Sequence, residues 1–248
     1  MLEARDISKS FGGLKAVDSA SLKVSENQIV SLIGPNGAGK TTLFALISGF
    51  LAPDSGMVMF DGADVTGQPA HGICQRGLVR TFQVVQPFAS LSVRKNIAVG
   101  AHTRIASRRQ ALAQADGVAE LVGMGGMLEQ SAGDLTIAGR KRLELARALA
   151  TGPKLLLLDE VMAGLNATEI AELVQVVRAI RDSGVTIFLI EHVMQAVMSL
   201  SDYTYVINQG VMIAEGTPTQ VTSAPEVIEA YLGRGAAGRI ARMAGSDA

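Results

Sequence analysis

The residues best suited to chemistry lie between Gly34 and Thr41. The run Gly34-Pro35-Asn36-Gly37-Ala38-Gly39-Lys40-Thr41 fits the pattern G-x-x-x-x-G-K-[ST]. Glycines let a backbone wrap closely round an anion with its N–H groups pointing inward. A helix beginning at Lys40 adds the positive end of its dipole. Lys40 would bring a cation between β- and γ-phosphates, and the Thr41 hydroxyl would ligate Mg²⁺. A glycine-rich turn with a chance Lys-Thr has the same letters. Here, however, a short β-like run (residues 28–33) precedes the loop and a helical pattern (residues 40–51) follows it, as a phosphate cradle requires.

A second chemical feature closes the apolar run at residues 154–158, where Asp159 and Glu160 follow four leucines. Ligands of open α/β sheets sit at the carboxyl ends of strands, so these acids can face the phosphate loop. Asp159 would hold Mg²⁺ through water, and Glu160 would polarise an attacking water as general base. Taken alone, an Asp-Glu pair after a strand is as readily a solvent-facing turn. The phosphate loop earlier in the chain favours the chemical reading.

The elements that must position these groups read as a buried parallel sheet. Residues 28–33, 154–158 and 185–190 are continuous apolar strands, and they alternate with helical patterns. The helix starting near Ala167 carries Ile170, Leu173, Val174, Val177 and Ile180 on one stripe, and Gly184 closes it. The opening segment and residues 56–60 are shorter alternating runs separated by turns such as Asp61-Gly62, which suits a small antiparallel layer. Residues 203–207 and 211–214, joined by Asn208-Gln209-Gly210, read as a hairpin. Residues 87–133 are helical in pattern without a strand signal, and read as a helical subdomain inserted between two core parts, about 1–86 and 134–233. Residues 234–248, rich in Gly, Ala and Arg (Arg234, Arg239, Arg242), read as a solvated tail.

Bulk properties agree with one α/β unit. The chain has 248 residues and is 48% hydrophobic, enough for a full core, but only 4% aromatic without Trp. A formal net charge of −1 gives no electrostatic reason to expect nucleic acid or an anionic membrane surface as partner. Cys74, the one cysteine, cannot form an internal disulfide and reads as a small buried hydrophobe rather than a nucleophile. Early charges at the N-terminus argue against a signal peptide, and no run of about 20 apolar residues is present to span a bilayer.

Many nucleotide-binding proteins share the first two motifs; the residues between and after them are more specific. Leu135-Thr136-Ile137-Ala138-Gly139, followed by Arg140-Lys141-Arg142-Leu143-Glu144-Leu145-Ala146-Arg147-Ala148-Leu149, resembles the signature motif and helix of ATP-binding cassettes of ABC transporters. Thr136 is a good N-cap, and a helix start offers free N–H groups to an anion. Ile137 and Ala138 stand where the commonest family form has two glycines, and Gly139 where it has Gln. Gln83 in Arg80-Thr81-Phe82-Gln83 is similar to the family's Q-loop, His192 in Leu189-Ile190-Glu191-His192 to its switch histidine, and Ala163-Gly164-Leu165-Asn166 to its D-loop. Phe11 occupies the position of the aromatic that stacks on adenine.

The resemblance covers residues 1 to about 234. It implies a P-loop NTPase core with a mostly parallel sheet, a small antiparallel β layer and an inserted helical subdomain. It implies ATP and Mg²⁺ as ligands: Phe11, residues Gly34 to Thr42 (Thr42 included), Thr136 and Ala138 would contact nucleotide; Thr41, Gln83 and Asp159 would hold the metal; Glu160, Gln83 and His192 would serve hydrolysis. A second cassette would complete each site, and permease subunits would dock on the pair. The phrases Gly77 to Gln83, Glu191-His192-Val193-Met194, Ile207-Asn208-Gln209-Gly210, Ala214-Glu215-Gly216-Thr217-Pro218 and Val227 to Gly233 are similar to ATP-binding subunits of bacterial branched-chain (hydrophobic) amino-acid importers. Such a subunit would sit at the cytoplasmic face of the inner membrane, with a solute-binding protein beyond it. Cassettes of lipopolysaccharide extraction and of urea-type importers share several of these phrases, though Phe82-Gln83 favours amino-acid import. Non-transport ABC proteins would bring paired cassettes, coiled-coil arms or basic surfaces, and a P-loop kinase would lack the signature-like helix.

Overall fold

The computed structural model describes residues 1–82, 86–233 and 235. In chain order, β1 (Leu2–Phe11) and β2 (Leu14–Val24) lead to β3 (Ile29–Ile33), the glycine loop and α1 (Lys40–Ile47). Next come β4 (Ser55–Phe60), β5 (Ala63–Asp64), α2 (Ala70–Arg76) and β6 (Leu78–Arg80). Three helices follow, α3 (Val93–Ala101), α4 (Arg108–Leu121) and α5 (Ile137–Ala150). The chain then alternates through β7 (Leu155–Asp159), α6 (Ala167–Asp182), β8 (Thr186–Ile190) and α7 (Met194–Leu200). It ends in the hairpin β9 (Tyr203–Asn208) and β10 (Val211–Gly216), then α8 (Pro218–Thr222) and α9 (Pro225–Leu232).

Two sheets result. The main one has the order β10-β9-β3-β8-β7-β6, parallel at every pairing except that of the terminal hairpin. The other is antiparallel, in the order β2-β1-β4-β5. Side-chain alternation explains why the central strands are apolar throughout. Leu155 and Leu157 of β7, with Phe188 and Ile190 of β8, pack towards α1 and the antiparallel layer. Leu156, Leu158, Ile187 and Leu189 point to the opposite face, which α3 to α6 cover. Phe44 of α1 meets Phe188 with ring centroids 4.8 Å apart, which fixes the helix after the glycine loop onto the sheet.

Several expectations change in detail. Helix α1 stops at Ile47, not near residue 51. There the Ser48 hydroxyl donates to the Phe44 carbonyl, and the N–H groups of Phe50 and Leu51 turn back to Ala45. The opening strands are not short: β1 and β2 run for 10 and 11 residues, bent by register shifts and by Asp6 and Ser19 at positive φ. The edge strand β6 gave no readable signal, because its three residues pair with β7 only in the folded chain. The helical layer also includes α5, which packs on α3 and α4. Cys74 is half-buried against that layer, and burial pushes its thiol above the ordinary range.

Candidate functional site

The glycine loop is held from three sides. The Gly210 N–H in the β9–β10 turn donates to the Ala38 carbonyl at 2.9 Å, and the Gly210 carbonyl accepts from Asp18 N–H of β2 at 2.8 Å. A Cβ added to Gly34 would stand 2.0 Å from the Ile207 carbonyl oxygen, and one added to Gly39 would stand 2.3 Å from that of Ala16. The two glycines fixed by the pattern are thus needed for close approach to β9 and β2. Gly37, at φ +76° with nothing within 4 Å of an added Cβ, has only a backbone reason.

Lys40 is 6% exposed and turns back on its own loop. Its Nζ donates to the carbonyls of Gly34 at 2.8 Å and Pro35 at 2.9 Å. Burial pushes its ammonium below the ordinary range, while Glu160 and Asp159 pull the other way. Two carbonyls are weak partners for a buried cation, so a phosphate would be a better one. A cleft of about 680 Å³ opens here, lined by Phe11, Asn36 to Thr42, Glu160 and the Gln209-Gly210 turn. Phe11 is 48% exposed on it.

The strand β7 delivers Asp159 to the loop from below. Asp159 is buried; its Oδ2 accepts from Arg80 at 2.7 Å, and its Oδ1 has no hydrogen-bond partner. A buried carboxylate oxygen without a donor is costly unless a cation or water meets it. Thr41 lines the same recess as Asp159 and Arg80. This donor set, one hydroxyl and one spare carboxylate oxygen, fits a hard cation whose other ligands are phosphate and water. Among the described residues no cluster of three or more His, Cys, Asp or Glu offers a complete protein cage.

Glu160 takes φ +51°, a left-handed conformation rare outside glycine and frequent at functional sites. Its N–H donates to Ile190 O at 3.0 Å, and its own carbonyl accepts from Lys141 Nζ at 3.1 Å. Nδ1 of His192, which follows β8, stands 3.9 Å from Glu160 Oε1. A carboxylate that lines the cleft of Lys40 and the glycine loop thus stands beside an imidazole, an arrangement suited to moving a proton next to a phosphoryl group.

Thr136 caps α5, its hydroxyl accepting from Gly139 N–H at 3.1 Å. Thr136 and Ala138 line a separate groove and not the phosphate cleft, and Ile137 is exposed at the helix start. Asn166 caps α6 with a reciprocal bond to Glu169. Gln83 lies outside the described residues, as do Arg234, Arg239 and Arg242. Just beyond the first gap the Gln86 carbonyl accepts from Arg147 of α5, whose guanidinium lies 5.1 Å from the Phe88 ring.

The sequence reading missed three contributors. Arg80 pairs with Asp159 across 79 positions, Lys141 holds Glu160, and Glu191 is a wholly buried acid. An acid inside the run Phe-Leu-Ile-Glu-His, directly after a buried strand, was the one signal available.

Fold and site together define a P-loop nucleotide-binding cassette. Residues 17–163 match the family described as ABC transporter, and residues 211–237 match the one described as branched-chain amino acid ATP-binding cassette transporter. The high-affinity branched-chain amino acid transport ATP-binding protein BraF of Pseudomonas aeruginosa is 42% identical, covering 94% of this chain and 98% of that protein. LivG of Escherichia coli, with the same description, is 39% identical at the same coverage. The lipopolysaccharide export system ATP-binding protein LptB of Haemophilus influenzae is 33% identical, over 94% and 97%. A crystal structure of the ADP conformation of an ATP-binding cassette of an ABC transporter superposes with a TM-score of 0.86 at 32% identity, covering 94% of this chain and 99% of that one. This chain belongs to the ABC transporter family, as one of its ATP-binding cassettes. No helix among the described residues is long and apolar enough to cross a membrane.

Proposed function

We propose that this chain binds and hydrolyses ATP to energise a membrane importer of branched-chain or other hydrophobic amino acids. One observation carries the motor reading: Lys40 on its glycine loop and Glu160 line one cleft, Thr41 joins that cleft to the recess holding the spare oxygen of Asp159, and His192 stands 3.9 Å from Glu160. Phe11 stacks on the adenine, and the loop from Gly34 to Thr42 wraps the phosphates with its backbone N–H groups, of which Pro35 has none. Lys40 exchanges the Gly34 and Pro35 carbonyls for β- and γ-phosphate oxygens. Thr41, Asp159 and Gln83 are the residues that would hold Mg²⁺, which neutralises charge on the phosphate oxygens. Glu160 takes a proton from water as its oxygen bonds to the γ-phosphorus and the bond to ADP breaks. His192 orients the γ-phosphate. Thr136 and Ala138, apart from the cleft, face the nucleotide of a second cassette, so two chains close around two ATP molecules.

Two exposed phenylalanines, Phe82 and Phe88, flank residues 83–85 and offer an apolar footing to permease subunits. An extracytoplasmic binding protein delivers the solute, and the cassette works at the cytoplasmic face of the inner membrane. The amino-acid assignment is supported by the match at residues 211–237 and by relatives of 42% and 39% identity, against 33% for the lipopolysaccharide exporter. Two measurements test this. Glu160→Gln should keep ATP binding and lose turnover by about 10²- to 10⁴-fold; full turnover would remove Glu160 from its role. Deleting the gene should abolish uptake of labelled leucine, isoleucine and valine. Intact uptake with defective lipopolysaccharide export would transfer the cassette to the other branch.

A further inference from the structure

Glu191 is 1% exposed immediately after β8, a strand that holds only apolar and hydroxyl side chains. Its Oε1 accepts from the Met162 N–H at 2.9 Å, and its Oε2 is buried with no hydrogen-bond partner. Lys141 of α5 is the cation whose charge acts on this carboxylate. Lys141 in turn donates to the carbonyl of Glu160. One buried carboxylate therefore ties the segment after β8 to the turn after β7, which Lys141 also joins to α5.

Nothing in the packing asks for an acid here. A methionine would fill the same space without a stranded oxygen, and a buried carboxylate of this kind adds no net stability by itself. What the acceptor does provide is a fixed distance between two backbones. Glu160 lies two residues before Met162 and sits at φ +51°, a conformation that its surroundings must hold in place. His192 begins where Glu191 ends. We propose that Glu191 is a positioning residue for hydrolysis: by accepting the Met162 N–H beside its own neighbour His192 it sets the Glu160 carboxylate and the His192 imidazole against one another, with Lys141 bracing the same turn from α5.

This inference rests on the assignment of Glu160 as the water-activating base, so that assignment is measured alongside it. Steady-state ATP hydrolysis and nucleotide affinity are compared for the full-length wild type, Glu160→Gln, Glu191→Met and Glu191→Gln. Glu191→Met keeps the volume and removes the acceptor; Glu191→Gln keeps an acceptor oxygen for Met162. We expect Glu191→Met to lower kcat by about 10- to 100-fold with ATP affinity within two-fold, and Glu191→Gln to recover kcat to within about three-fold of wild type. A purely structural role would move affinity and kcat together with the melting temperature, and the Gln variant would do no better than Met; either result overturns the proposal, as does a Met variant with wild-type kcat. Should Glu191→Met not fold, the same comparison with Glu191→Ala decides. If Glu160→Gln itself hydrolyses ATP normally, the assignment of the base has failed. If only that variant is inactive and Glu191→Met is not, the positioning role alone has failed.

Discussion

Replacing Gly39 by alanine separates the two reasons a loop can need glycine. At Gly39, φ is +107° and an added Cβ would stand 2.3 Å from the Ala16 carbonyl oxygen of β2. Ordinary contact starts near 3.4 Å, so loop and strand must part by about 1 Å. Overpacking of that kind costs about 1–3 kcal/mol, and a left-handed alanine about 1–2 kcal/mol more. Restricting the unfolded chain returns about 0.4–1 kcal/mol. The net expectation is a loss of about 2–4 kcal/mol, a large share of a domain stability of about 5–15 kcal/mol. Gly37→Ala is the control: φ is +76° but no atom lies within 4 Å of the new Cβ. It should lose about 1.5 kcal/mol or less, because only the backbone terms of about 1–2 and 0.4–1 kcal/mol remain. Urea unfolding of both variants, with midpoints compared at equal slopes, reads the difference directly. Gly39→Ala should also weaken ATP at least about tenfold by calorimetry, since it shifts the turn that carries Lys40. Equal stability losses at the two positions would refute the contact argument and leave the pattern glycine with a backbone role alone.

Lys40→Ala removes a buried ammonium together with its two carbonyl bonds, so stability should change little while ATP affinity falls about 30- to 1,000-fold; calorimetry giving an affinity within about three-fold of wild type would contradict the loop's role. Burial pushes the Glu191 carboxyl up to about 7, against the opposing pull of the Met162 N–H and Lys141. Its folded value lies above the ordinary 4.5, so its favourable contribution is complete below that pH and is lost as pH rises through about 7. Wild-type stability relative to Glu191→Gln should therefore fall by about 2–4 kcal/mol between pH 5 and 8. A flat difference between the two denaturation series would show that the carboxyl is not held in that environment.

Local signals carried much of the architecture. The strand before Gly34, the helix from Lys40, the alternation through Leu155, Ala167 and Thr186 and the Gln209-Gly210 turn are each set by residues close in sequence. So is the Thr136 cap. What was not legible depends on partners far along the chain. The three residues of β6 become a strand only beside Leu155 to Leu157, and α1 ends where Ser48 and Phe50 fold back on Phe44 and Ala45. Arg80 gains its meaning from Asp159, and Glu191 from Met162 and Lys141, none of which stands within a helical or strand period of it. The glycine pattern itself was readable, but not that Gly34 and Gly39 answer to the carbonyls of Ile207 and Ala16.

The two halves of the site are built differently, and that difference has a functional consequence. The phosphate side rests on the core: the loop is bonded to the β9–β10 turn, wedged against β2 and backed by Phe44 on Phe188. A nucleotide meets a preformed cradle there and spends little of its binding energy on ordering it. The side that carries Glu160 stands at a junction. Glu160 holds a strained backbone between the end of β7 and the helical layer, and Lys141 and Glu191 brace it from α5 and β8. Helix α5, capped by Thr136, carries Lys141 little more than one turn further on, so the helix start and the carbonyl of Glu160 are joined through one element. If Glu160 activates water as proposed, changes at Lys40 and at Glu191 should divide between affinity and turnover, because they fall on different halves of the site.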